Sequence, residues 1–255
     1  MVAVLRTLAW YARRPRLLPE LWRQAGIALK GRSPYFREVA ESYCEEHSVT
    51  VQEAFGLLGV SSKVKKIQLW LEEPVRLARR KTDPFQGKMG GGASMELLFG
   101  LARDGRAARI LETGVAFGWS SLAILLATEG DRNARLVSVD MPYVKRNADD
   151  LVGLAVPDEL RKRWTLIRRA DREGIPQALE ILGEVDLAHY DSDKTVEGRN
   201  FAYPLMWGAL SPGGVLVSDD VSDNLAFINF CETIGLKPVI VRVEGKFAGI
   251  VRKPR

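Results

Sequence analysis

The feature that most constrains the fold of this chain is an alternation of short apolar runs with helix-length segments. It begins near residue 108 and ends with two apolar runs only three residues apart. Strand-like runs lie at Ala108–Thr113, Leu136–Asp140, Trp164–Arg169, Val185–Asp191, Gly214–Ser218, Pro238–Val243 and Phe247–Arg252. Helical stretches separate the first five, notably Ser120–Thr128, Ile175–Leu182 and Tyr203–Ala209. Repeated strand–helix–strand units build a parallel sheet covered on both faces. Glu244, Gly245 and Lys246 alone separate the last two runs, too little for a parallel crossover, so these form a hairpin. The expected fold is α/β: a doubly wound, seven-stranded, mostly parallel sheet closed by a C-terminal antiparallel hairpin. A dinucleotide dehydrogenase would more often keep its sixth strand parallel.

Residues 1–84 read differently, as a helical extension or lid ahead of an α/β domain at 85–255. Pro15, Pro19, Pro34 and Pro74 are expected to break its helices, and Thr50 with Glu53 forms a capping box opening a helix through Leu58. Pro84, Gly87, Gly90, Gly91 and Gly92 then make a flexible connection into a helix at Met95–Arg103. The net positive charge lies at the start of the chain. The net charge is +5, and residues 1–32 hold seven basic side chains against Glu20 alone, or +6, leaving −1 for the remainder. With Trp10, Tyr11, Leu17, Leu18 and Trp22 interleaved, this segment suits either an anionic membrane surface or packing on its own core or a second subunit. We expect the packing role, and a homo-oligomer. No apolar run approaches the roughly 20 residues of a membrane span, and no secretory signal is recognisable. Cys44 and Cys231, far apart in sequence, are expected to be free thiols in the cytoplasm. Nothing calls for nucleic acid.

The first strand runs into Glu112-Thr113-Gly114-Val115-Ala116-Phe117-Gly118-Trp119-Ser120 and a helix. Glycines let the backbone turn off the strand and lie against a ligand. The G-x-x-x-G spacing is neither the G-x-G-x-x-G of pyrophosphate binders nor a P-loop, so a zwitterionic amino-acid tail and a ribose fit better than phosphates. Asp140, at the carboxyl end of the next strand, is placed to take both hydroxyls of a ribose. Asp171, after the third strand, is either an adenine contact or a surface turn. Met141-Pro142-Tyr143 resembles part of an amino-methyltransferase signature, but it follows the wrong strand.

The fourth strand ends at His189-Tyr190-Asp191-Ser192-Asp193-Lys194, and the fifth at Val217-Ser218-Asp219-Asp220. These ends lie side by side in a doubly wound sheet, so Asp191, Asp219 and Asp220 should converge. Three crowded carboxylates call for a cation, and an oxygen-only set suits Mg²⁺, Mn²⁺ or Ca²⁺. His189 is expected in the core. Tyr190, Tyr203, Trp207 and Asn224 are expected near the pocket.

Taken together, Glu112-x-Gly114-x-x-x-Gly118-x-Ser120, Asp191-Ser192-Asp193-Lys194 and Asp219-Asp220 resemble the class I S-adenosylmethionine-dependent methyltransferases, a Rossmann-like fold. Within that class they resemble the metal-dependent O-methyltransferases of catechol O-methyltransferase layout. The stretch Asp191–Asp220, with Ser211-Pro212-Gly213-Gly214, is also similar to the macrocin-type sugar O-methyltransferases. The resemblance spans residues 85–255 and implies S-adenosyl-L-methionine held by Glu112, Gly114, Gly118, Ser120, Asp140 and Asp171. It further implies a divalent metal, Mg²⁺ foremost, on Asp191, Asp219 and Asp220, with Lys194 as general base beside Asp191. Asp193 replaces the aromatic residue that precedes the lysine in catechol O-methyltransferase, which shifts the expected small-molecule acceptor from a phenol toward a sugar or other aliphatic hydroxyl. The alternatives are metal-independent N-methylation of a small amine and a non-catalytic S-adenosylmethionine-binding protein.

Overall fold

The computed structural model describes residues 2–30, 34–61, 66–87, 89, 94–143 and 148–255, the side chains of 2–6, 24, 27–30, 34 and 35 excepted. Lys88 and Gly90–Gly92 of the glycine-rich connection therefore lie outside the described residues, as do the side chains of Arg6, Lys30 and Arg32.

The helices are α1 (Val2–Ala12), α2 (Leu18–Lys30), α3 (Pro34–His47), α4 (Val51–Leu57), α5 (Ile67–Thr82), α6 (Met95–Asp104), α7 (Trp119–Ala127), α8 (Asp158–Arg161), α9 (Asp171–Leu182), α10 (Val196–Ala209) and α11 (Ala226–Thr233). The strands are β1 (Ser48–Val49), β2 (Arg109–Thr113), β3 (Arg135–Val139), β4 (Trp164–Ile167), β5 (Val185–Tyr190), β6 (Leu210–Ser218), β7 (Val239–Val243) and β8 (Lys246–Arg252). They form one sheet in the order β1-β7-β8-β6-β5-β2-β3-β4. The pairs β2/β3, β2/β5, β3/β4 and β5/β6 are parallel, and β8 runs antiparallel to both β6 and β7.

Successive side chains of a strand point to opposite faces, so a sheet covered on both sides is apolar at consecutive positions. Ile110, Leu136, Leu187 and Val241 enter a core built with α4, α5, α6 and α7. Their neighbours Leu111, Val137, Ala188 and Ile240 enter a second core with α3, α9, α10 and α11. The order reverses between β2 and β5. A ligand cleft is expected at the carboxyl ends there, because the crossovers leave in opposite directions.

The expected seven strands are all present, and an eighth is added. Strand β1 pairs in parallel with β7, Ser48 opposite Ile240. Two residues carry no readable alternation, which is why the sequence concealed it. Much of segment 1–84 packs on the α/β body: Cys44, Ala54, Phe55, Leu71 and Ala78 lie in its two cores, and Glu20 and Arg23 of α2 stand at the edge of the cleft. The Thr50/Glu53 capping box forms as expected. Pro74 does not break its helix but sits inside α5. Burial of Ile67, Leu71 and Ala78 along one stripe of α5 outweighs the one backbone hydrogen bond a proline removes.

Candidate active site

Five short loops at the carboxyl ends of β2, β3, β4, β5 and β6 build the site. After β2 the chain turns through Gly114 (φ +78°) and Ala116 (φ +47°) and enters α7 at Gly118 (φ +88°). Gly114 has no room for a side chain: a Cβ there would overlap the backbone carbonyl of Asp191 at the end of β5. The glycine is thus required by the protein's own close approach of two loops. At Gly118 a Cβ would press on Gly153 and Val156. Bonds from both sides hold this loop. Asp140 Oδ2 accepts the amides of Val115 and Ala116 at 2.9 and 3.0 Å, and Gly153 N donates to Ala116 O at 2.9 Å.

Glu112 is fully buried beneath the loop. Its Oε2 accepts the hydroxyls of Ser121 at 2.6 Å and Ser138 at 2.5 Å, and Ser138 also takes the indole N–H of Trp164 at 2.8 Å. Glu112, Gly118 and Ser120, all expected as cofactor contacts, are buried around this loop. Ser120 is buried in the first turn of α7.

The cleft itself is a cavity of about 810 Å³ whose wall includes Gly114, Asp140, Tyr143, Asp171, Asp191 and Lys194. Burial holds the Asp140 carboxyl above its ordinary range, against the opposing pull of Arg168 and the two loop amides. Arg168 Nη1 lies 3.3 Å from Asp140 Oδ1. Asp171 Oδ2 accepts Ser192 Oγ at 2.5 Å, and burial together with repulsion from Asp193 and Glu20 pushes this carboxyl up to about 6.

The three carboxylates expected to share a metal do come to one end of the cleft, but each faces a protein cation. Lys194 Nζ bonds Asp220 Oδ2 and lies 3.3 Å from Asp191 Oδ1. Lys246 Nζ is 3.6 Å from Asp220 Oδ1, and His189 Nε2 is 3.8 Å from Asp219 Oδ2. Among the described residues no group of three or more His, Cys, Asp or Glu side chains has the arrangement to hold a metal ion. The expected ligand set of Asp191, Asp219 and Asp220 therefore does not fit a divalent ion here, because ammonium and imidazole groups already neutralise the cluster.

Burial would lower the Lys194 pKa, but Asp191 and Asp220 outweigh it and raise it. Lys194, expected as the base, is thus an ammonium at neutral pH. Burial and the repulsion of Asp219 push Asp191 up to about 6, with Lys194 and His189 pulling the other way.

Several residues that hold this arrangement escaped the sequence reading. Arg199 on α10 is fully buried and donates to the backbone carbonyls of Asp219 (3.1 Å) and Asp220 (2.7 Å). It thereby supports Asp220 in its left-handed conformation, φ +51°. It also bonds Asn224, whose Nδ2 donates to Lys194 O at 2.9 Å. Arg23 on α2 crosses the cleft mouth to Asp193 at 2.7 Å. An arginine beside Glu197 and Asn200 at the start of a helix and one in a distant basic segment look like surface residues until the fold closes. Of the four residues expected near the pocket, Asn224 ties the site loops together, and the Tyr190 hydroxyl donates to Asp193 O at 2.7 Å. Tyr203 and Trp207 belong to the second core.

Residues 111–221 match the family described as Methyltransferase domain. No curated protein matches the chain at a significant level. Among solved structures, the chain is similar to the O-methyltransferase TomG of Streptomyces achromogenes in complex with SAM, with a TM-score of 0.56 and 19% identity over 71% of this chain and 90% of that one. It is also similar to an O-methyltransferase of Bacillus cereus in complex with SAH (TM-score 0.54, 16% identity, 82% and 100% covered). A third similar structure is the SAH-bound methyltransferase PaMTH1 of Podospora anserina (TM-score 0.50, 18% identity, 88% and 97% covered). Over residues 111–221 the chain is thus similar to a methyltransferase domain, and its fold is the Rossmann-like fold of these methyltransferase structures.

Proposed function

We propose that this chain transfers the methyl group of S-adenosylmethionine to a hydroxyl of a small, polar acceptor, with Asp191 as proton acceptor and without a metal ion. The observation that carries the proposal is the meeting of Asp191 and Lys194 on the cleft wall against Gly114. When bound, S-adenosylmethionine supplies an activated methyl group on a sulfonium. Asp140 takes the ribose hydroxyls, the Gly114 turn lies along the amino-acid tail, and Asp171 faces the adenine. Glu112, Gly118 and Ser120 act indirectly, by holding the loop.

The acceptor hydroxyl donates a hydrogen bond to Asp191. As its oxygen forms the new bond to the methyl carbon, the carbon–sulfur bond breaks, sulfur keeps the electron pair, and the proton passes to Asp191. Lys194 remains protonated. It holds Asp191 and Asp220 in place and supplies positive charge beside the oxygen as negative charge develops on it. A wall of Arg172, Ser192, Asp193 and Thr195 favours a polyhydroxylated, sugar-like acceptor over a flat phenol. The α1–α2 arm covers the acceptor end as a lid. The buried thiols of Cys44 and Cys231 fit a cytoplasmic enzyme.

The test is calorimetry with S-adenosylhomocysteine, followed by a methyl-release assay on pooled hydroxyl and amine acceptors, each with and without chelator. Turnover of a hydroxyl in chelator supports the proposal. Turnover only of amines, or only with added Mg²⁺, overturns it.

A further inference from the structure

Outside the cleft, the most unusual surface belongs to the α1–α2 arm. Its inner side is committed. Tyr11 and Leu17 are buried with Ala170, Trp10, Leu21 and Met141 pack around them, and Arg23 is held by Asp193. Its outer side is apolar and basic at once. Trp22 is 73% exposed, Leu8 48% and Leu18 37%, and Leu18 and Trp22 stand one turn apart on the same side of α2. Arg13 and Arg16, between the two helices' apolar positions, are exposed as well. A helix that packs on a protein core ordinarily turns one apolar stripe inward and polar side chains outward; this arm carries large apolar groups on both sides.

We propose that the outer face of α1–α2 docks the protein on an anionic membrane surface, with Trp22, Leu18 and Leu8 entering the interfacial layer and Arg13 and Arg16 meeting the lipid headgroups. Charge identifies the occupant. Residues 1–32 carry +6 and the rest of the chain −1, so the positive field is concentrated on this arm. A second copy of the arm would set like charge against like, whereas an anionic bilayer offers opposite charge and an apolar layer for the exposed tryptophan. Among the described residues no helix is long and apolar enough to cross a membrane, so the contact is with the surface. The cleft side of the same helix carries Glu20 and Arg23. A helix is about 10–12 Å across, so docking would bring the acceptor entrance to about one helix diameter from the bilayer.

The experiment is co-sedimentation of the full chain with vesicles of phosphatidylcholine alone and of phosphatidylcholine mixed with phosphatidylglycerol, at low and raised salt. The expected result is binding to the mixed vesicles only, weakened by salt. The pairs Leu18→Glu with Trp22→Glu and Arg13→Glu with Arg16→Glu should each weaken it about tenfold or more, with the melting midpoint unchanged. Absence of binding to the mixed vesicles, or equal binding to both kinds, overturns the proposal. So does a dimer in light scattering that Trp22→Glu abolishes while no vesicle binding is seen, which assigns the face to a second copy.

Discussion

The imidazole of His189 stands between a carboxylate of β2 and one of the loop after β6, with Nδ1 3.8 Å from Glu112 Oε1 and Nε2 3.8 Å from Asp219 Oδ2. Burial alone would lower its pKa, but Asp219 and Glu112 outweigh burial and raise it to about 10. The ring therefore carries a positive charge at neutral pH and links β2 to the loop after β6. His189→Gln should leave the buried Glu112 and the part-buried Asp219 without the cation between them and cost about 3–5 kcal/mol in urea unfolding. The pH dependence has a definite sign. The folded pKa lies above the unfolded value of about 6.5, so this stabilisation is complete below about pH 6.5 and is lost as pH rises through about 10. Unfolding curves of the unaltered protein should weaken from neutral to alkaline pH, and His189→Gln should flatten that slope.

Gly114 was expected to make way for a ligand, yet its Cβ would strike the carbonyl of Asp191 first. Gly114→Ala should therefore lose about 2 kcal/mol or more of stability even with no ligand present, since positive φ and overpacking both act against it. Urea midpoints measured without S-adenosylhomocysteine check this. An unchanged midpoint would show that the two loops do not meet.

If Asp191 is the proton acceptor, Asp191→Asn should lower turnover by about 10²- to 10⁴-fold with S-adenosylhomocysteine affinity little changed. The acid limb of kcat/KM in the unaltered enzyme should rise with pH through about 6, the position to which burial and Asp219 push this carboxyl. Because Lys194 acts as a fixed cation, Lys194→Arg should keep measurably more activity than Lys194→Ala. Equal loss in both would return the role of base to Lys194.

Exhaustive chelation should leave turnover intact, because Lys194, Lys246 and His189 already face Asp191, Asp220 and Asp219. An assay in excess EDTA, then with Mg²⁺ restored, decides the point: recovery only with Mg²⁺ would mean that an ion displaces Lys194 from the cluster.

Arg23, braced by Glu20 of its own helix at 2.5 Å, joins the arm to the site through Asp193 at 2.7 Å. Arg23→Ala should raise KM for the acceptor by about tenfold, the scale of one partly buried charged contact, while the affinity for S-adenosylhomocysteine stays the same. Parallel loss of both affinities would show that the arm supports the whole cleft instead of its acceptor end.

The alternation of apolar runs determined the parallel sheet, and the three-residue link Glu244–Lys246 determined the hairpin, because both are local consequences of strand period and connection length. The same reasoning brought Gly114, Asp140, Asp171, Asp191 and Lys194 to one set of strand ends, and these five line the cleft. Tertiary structure alone decided which cation each carboxylate meets. Asp219 faces His189, Asp220 faces Lys194 and Lys246, and Glu112 sits under the loop with Ser121 and Ser138. A run of aspartates in sequence shows that a counter-charge is needed but not which group supplies it. That choice depends on distances of a few ångströms between loops far apart in the chain. Strand β1, the buried Arg199 and the reach of Arg23 across the cleft were decided in the same way, by partners that no local pattern encodes.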